Sequence, residues 1–112
     1  MTIFQKVINK EIPADIVFED DLCLAFRDIN PQAPIHILII PRSPVASTQE
    51  VDLDDARTIG HIFSIIPKIA STEGIDKTGY RVVTNCRSDG GQEVAHLHFH
   101  LLGGRKLNWP PG

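Results

Sequence analysis

The sequence predicts an α+β domain: a five-stranded, mainly antiparallel sheet with one long and one short helix. Three observations carry this. Several short runs have strand composition, most are joined by short turns, and one long stretch repeats its apolar residues at three- and four-residue steps. The 112 residues suit a single domain over 1–112 and are too few for two.

The elements follow in order. Thr2 suits the N-cap of a short helix with Ile3, Phe4, Val7 and Ile8 on one stripe, and Pro13 is its expected stop. Strands at 15–18 and 22–26 flank the acidic Glu19-Asp20-Asp21 turn, a hairpin pattern. Asn30-Pro31 and Ala33-Pro34 punctuate the chain before a third strand, 35–40. That strand is apolar on both faces and belongs at the sheet centre.

A long helix is expected over 52–71. Asp52 and Asp55 fit its N-terminus, and Leu53, Ala56, Ile59, Phe63, Ile66 and Ala70 form its core-facing stripe. Gly74 follows as the C-terminal stop. Pro67 deletes the hydrogen bond to Phe63 and predicts a kink. Strands at 79–85 and 96–102 complete the sheet, linked by the loop Ser88-Asp89-Gly90-Gly91-Gln92. Gly103-Gly104-Arg105 reads as a chain reversal with a solvent-facing charge, ahead of the tail Trp109-Pro110-Pro111.

Composition excludes several classes. Apolar residues at 42% and charged residues at 22% are globular values, which rules out a disordered or fibrous chain. A net charge of −3 argues against a nucleic-acid partner, though not against a small phosphorylated ligand. The longest apolar stretch, 35–40, contains His36 and falls far below the ~20 residues that span a bilayer. The first residues lack a basic segment followed by an apolar one, so no secretory signal is expected. Cys23 and Cys86 form no CxxC pair, which fits a reduced, cytoplasmic setting.

Three of the five histidines fall within His96-Leu97-His98-Phe99-His100-Leu101. On a strand, His96, His98 and His100 would share one face, with Leu97, Phe99 and Leu101 on the other, facing the long helix. Imidazoles along an inner sheet face forgo apolar burial at each position, which points to chemistry. A metal site and a catalytic site compete. At ~3.3 Å per residue the outer Cβ atoms lie roughly 13 Å apart, too far to share one ion with bonds of ~2 Å. Catalysis suits imidazole better, because a pKa of ~6.5 leaves it mostly neutral and nucleophilic at pH 7. His98, flanked on both sides, is the natural nucleophile. The Gly-rich loop feeds directly into this segment, and its glycines would let main-chain N–H groups approach an anion. His61, alone on the helix, reads as an ordinary hydrogen-bonded residue.

The run His96 to Leu102 resembles the His-φ-His-φ-His-φ-φ signature of the histidine-triad superfamily, φ being apolar. Thr2-Ile3-Phe4, Lys10-Glu11-Ile12-Pro13, the segment from Phe26 to Pro34, Gly90-Gly91-Gln92 and Leu101-Leu102-Gly103-Gly104-Arg105 resemble its Hint branch, the purine nucleoside phosphoramidases. The resemblance implies a HIT-like fold and a homodimer whose two sheets join. It also implies a purine mononucleotide ligand (AMP or GMP) and hydrolysis of the P–N bond of nucleoside 5′-phosphoramidates, nucleotide–lysine adducts among them. No metal or organic cofactor is expected.

By matching positions, His98 would attack phosphorus, with His96 and His100 orienting it and assisting leaving-group protonation and His36 in support. Asp28 would accept from the ribose hydroxyls, and Ile3, Phe4, Val7, Phe26 and Ile29 would line the base pocket. Asn85, Gly91, Gln92, Glu93 and Val94 would surround the phosphate and leaving group. From the residues alone, Asp28 could equally cap the Ile-Asn-Pro turn, His36 could be a hydrogen-bonded core histidine, and the apolar residues could be core. Glu93 stands where animal and plant relatives carry Ser, and it would suit a cationic amine leaving group. Ala95 replaces a frequent Tyr, and the Trp109 tail resembles the eukaryotic ending that approaches the partner's site. The other readings are a nucleotide-binding regulator with vestigial catalysis and a zinc-binding protein.

Overall fold

The computed structural model describes residues 1–112. In chain order they form α1 (Ile3–Ile8), β1 (Ile16–Glu19), β2 (Cys23–Arg27), β3 (Ile35–Pro41), α2 (Ala56–Thr72), β4 (Tyr80–Val83) and β5 (Phe99–Gly103), with 3₁₀ turns at Thr48–Glu50 and Leu53–Asp55. The strands build one sheet in the order β1-β2-β3-β5-β4. Every pairing is antiparallel. β3 is central and buried from His36 to Pro41, as its two-faced apolarity predicts.

Alternation along the strands sends side chains to two cores. Cys23, Ala25, Ile37, Ile39, Phe99 and Leu101 pack with Ile62, Ile65, Ile66 and Ile69 of α2. Leu24, Phe26, Leu38 and Ile40 pack with Phe4 and Val7 of α1 on the opposite face. The sheet is thus covered by a long helix on one side and a short one on the other. No helix is long and apolar enough to cross a membrane.

α1 opens with a capping box, in which Thr2 and Gln5 each accept from the other's main-chain N–H. It ends well before Pro13. Lys10 adopts a left-handed φ of 61°, and the Lys10 and Glu11 amides donate to Val7 and Lys6 carbonyls, so a Schellman motif closes the helix. α2 follows a second capping box between Asp52 and Asp55. Gly74, at φ 76°, stops it in the same way, with Ile75 donating to Ala70.

The core stripe of α2 is turned from the one read off the sequence. Ile62, Ile65, Ile66, Ile69 and Ala70 are buried, whereas Leu53 is 93% exposed and Phe63 50%. Apolar residues cover more than one row of this helix, and packing selects the row richest in isoleucine. Phe63 keeps one edge contact, its ring 5.5 Å from that of Phe99. Pro67 lies inside α2 without dividing it. His61 Nε2 lies 2.5 Å from Asp20 Oδ2, which ties α2 to the β1–β2 turn.

Gly60 sits in α2 with open space where a Cβ would point. Gly60→Ala is therefore expected to stabilise the fold by about 0.5–1 kcal/mol, read as a shift in the urea midpoint.

Candidate active site

The histidine run is not all strand. β5 begins at Phe99, because residues 94–97 spend their main-chain groups elsewhere: Leu97 N–H donates to Val45 O at 2.8 Å and His96 N–H to Val94 O at 2.9 Å. Thr84 Oγ1 donates to His98 O at 2.8 Å, standing in for a ladder bond. The extended course still sends Leu97, Phe99 and Leu101 into the α2 core. His98 and His100 turn to the α1 face.

There a cleft of about 280 Å³ opens, lined by Phe4, Asp28, Asn30, Gln32, His36, Leu38, Asn85, Gly91, Glu93, Val94, His98 and His100. That is near the lower end of small-ligand sites, which run from roughly 300 Å³ upward. No lysine or arginine lines it.

The hydrogen bonds fix the proton positions. His98 Nδ1 lies 2.7 Å from His96 O. A carbonyl only accepts, so Nδ1 carries the proton and the neutral ring keeps its lone pair on Nε2. Phe4 packs edge-on to the His98 ring at 5.0 Å, and the His100 ring lies 5.1 Å away.

A second chain starts at the Gln32 amide, which donates to His36 Nδ1 at 3.0 Å. His36 therefore holds its proton on Nε2, which faces His100 Nδ1 at 2.9 Å. His100 in turn holds its own proton on Nε2. Asp28 divides its carboxylate between both roles considered for it. Oδ1 accepts from the Asn30 amide at 2.8 Å, and Oδ2 lies 3.4 Å from His36 Nε2.

Burial favours the neutral form of His36, His96 and His100. His100 is pushed down to about 4, first by burial and then by the neighbouring His98 and His36. Burial also lowers His36, against the pull of Asp28, and His96, against its bond to the Pro41 carbonyl. The unfolded chain binds these protons below about 6.5, and the folded chain binds that of His100 only near 4. Stability should be complete above pH 6.5 and fall as pH drops toward 4. Denaturant midpoints measured from pH 7 to 4 should decline less steeply in His100→Gln. An equal decline in both proteins would remove His100 as the cause.

Several expected site residues lie outside the cleft. The His96 ring is fully buried, its Nε2 2.8 Å from Pro41 O and its Nδ1 without a partner. His96 thus reaches His98 through its carbonyl rather than its ring. Phe26 and Val7 are core residues of the α1 face. Ile3 is 53% exposed and Ile29 98%, and neither lines the cleft.

Two of the amides in the Gly-rich loop are already spent within it. The Gly91 and Gln92 amides donate back to Ser88 and Arg87 carbonyls. The Gln92 side chain accepts from the Arg87 amide and donates to Ala46 and Val94 carbonyls, which braces the loop from behind. Gly90 packs on the main chain of Cys86.

The pattern of a HIT domain matches residues 9–107. The chain belongs to the HIT domain family. It is 52% identical to purine nucleoside phosphoramidase of Escherichia coli K12 over 106 residues, 95% of this chain and 89% of that protein. It is 57% identical to a HIT-like protein of Synechococcus elongatus over 111 residues, 99% and 96% of the two chains. The crystal structure of a HIT family hydrolase from Legionella pneumophila superposes with a TM-score of 0.97, at 51% identity and full coverage of both chains. A histidine triad protein from Clostridium difficile gives 0.91 at 50% identity, covering 95% of this chain and 92% of that one.

This HIT domain adds Asn30, Gln32 and Leu38 to the residues expected at its cleft. Leu38 is two residues after His36 on β3, so alternation from His36 would have found it. Asn30 and Gln32 sit in a loop with no such periodicity. Two groups in the HIT domain could hold a divalent ion, each with donor atoms within 4.8 Å of one another: Asp28 with His36 and His100, and Asp20 with Cys23 and His61. An ion at the first would displace the His36–His100 hydrogen bond.

Proposed function

We propose that the protein hydrolyses the P–N bond of purine nucleoside 5′-phosphoramidates through a nucleotidyl intermediate on His98. The observation that carries this is the 2.7 Å contact between His98 Nδ1 and His96 O, which leaves the His98 Nε2 lone pair for attack. Nε2 forms a bond to phosphorus as the P–N bond breaks, and the departing nitrogen takes a proton. His100 Nε2–H is the hydrogen-bond donor the cleft supplies to that nitrogen, and the proton itself comes from water in the cleft, because a neutral imidazole does not surrender its remaining proton. The hydroxide this leaves then adds to phosphorus, the P–Nε2 bond breaks, and the nucleoside monophosphate leaves with His98 restored and His100 unchanged. A cleft without lysine or arginine suits a single phosphoryl group better than a polyphosphate. The 52% identity to a purine nucleoside phosphoramidase supports the same substrate class.

Incubation with adenosine 5′-phosphoramidate should yield AMP and ammonia at a rate unchanged by a chelator. No AMP, or a rate abolished by chelation, would refute the reading. Glu93, exposed at the cleft rim and free of any ion pair, is suited to a cationic amine leaving group. Glu93→Ser should lose selectivity for charged over neutral amines severalfold, and unchanged selectivity would exclude that role. The functional form we propose is a homodimer joined along β4, one of the two edge strands of the sheet, where Tyr80 is 39% exposed. Sedimentation at the monomer mass would contradict it.

A further inference from the structure

We propose that Arg105 is a positioning residue: acting through the main chain of Gln32, it sets the tautomers of His36 and His100 at the cleft. This rests on the hydrolase reading for its kinetic consequence, but not for its structural one.

The segment from Asn30 to Pro34 carries the amide on which the second hydrogen-bond chain begins, and it is held from outside. Arg105 Nη2 donates to Gln32 O at 2.9 Å, and Arg105 Nη1 to its neighbour Lys106 O at 3.1 Å. Gly104, at φ 90°, runs so close that a Cβ there would lie 2.9 Å from Pro34 Cβ. Asp28 Oδ1 accepts from the Asn30 amide on the near side. The two peptide groups flanking the Gln32 Cα are therefore both committed. One gives its carbonyl to Arg105, and the other aims its N–H at His36 Nδ1.

The tautomers depend on that aim. While the Gln32 amide donates, His36 Nδ1 must accept, His36 Nε2 must donate to His100 Nδ1, and His100 must keep its proton on Nε2. If the amide turns away, His36 can hold its proton on Nδ1. His36 Nε2 then accepts from His100 Nδ1, and His100 Nε2 becomes a lone pair. The group that should donate at the cleft becomes an acceptor. Gly103-Gly104-Arg105 is thus a clamp on the histidine chain as well as a chain reversal.

The test uses the full chain with Arg105→Ala, Arg105→Lys and Gly104→Ala. Long-range ¹H–¹⁵N NMR reads the histidine tautomers without substrate, and steady-state hydrolysis of adenosine 5′-phosphoramidate is measured alongside. Wild type should show single tautomers, with His36 Nδ1 and His100 Nδ1 unprotonated. Arg105→Ala should mix them and lower kcat about tenfold, with KM within about twofold. Arg105→Lys should restore most of both, and Gly104→Ala should shift the tautomers in the same direction as Arg105→Ala. Unchanged tautomers in Arg105→Ala overturn the proposal, whatever kcat does. A wild-type protein that turns over no phosphoramidate while Arg105→Ala still mixes the tautomers would sink the hydrolase reading and leave the clamp standing.

Discussion

His98→Ala is expected to lose at least about a thousandfold in turnover while still binding AMP, because it removes the nucleophile. The substitution is specific in its effect. His36, His100 and Asp28 keep their mutual bonds, none of which passes through the His98 side chain. The ring is buried against Phe4, so the variant also vacates space, and its melting temperature must be recorded with its activity. Calorimetry with AMP supplies the binding arm. Retained turnover would exclude His98 as nucleophile. Lost turnover together with lost binding in a folded variant would make His98 a ligand-binding group first.

Gly90→Ala should be among the most damaging single-methyl changes in the chain. A Cβ at Gly90 would lie 2.4 Å from Cys86 O and 2.8 Å from Cys86 N. Both are main-chain atoms, so no side-chain rotation relieves the overlap and the loop itself must move. A loss of about 2 kcal/mol or more is expected in urea unfolding, opposite in sign to Gly60→Ala. Activity should fall further than stability explains, since the same loop places Asn85, Gly91 and Glu93 at the cleft. A variant with wild-type midpoint and kcat would mean that the loop adapts without cost.

Most of the fold was legible because period and punctuation agree along the chain. β3 is central since nothing polar interrupts its faces except His36, and Thr2 and the Asp52/Asp55 pair cap where the chain suggests. The phase of α2 was not, because Leu53 and Phe63 compete with Ile62, Ile65 and Ile69 for the core, and only the sheet beneath decides between them. The stop of α1 was hidden in Lys10, a residue with no particular claim to a left-handed φ.

At the site, His36, His98, His100, Asp28 and Asn85 could be named from the chain, and the structure brings them to one cleft. Alternation puts the His96 ring on the Phe4 face with that of His98, as expected, but the ring is buried against the Pro41 carbonyl and does not line the cleft. Glycine content makes the loop amides look available, whereas those of Gly91 and Gln92 close the loop's own turn. Sequence patterns report side-chain faces well, but they do not report which carbonyl a given amide finds. Gln32 was overlooked for the same reason, since its contribution to His36 is a main-chain N–H.

The decisive measurement is intact-protein and peptide mass analysis after a brief, acid-free quench with a purine nucleoside phosphoramidate. The account predicts a mass gain of one nucleoside monophosphoryl group on the peptide containing His98, absent in His98→Ala and decaying at the rate of monophosphate release. Rapid monophosphate formation with no adduct at any time, or an adduct on another residue, would contradict it.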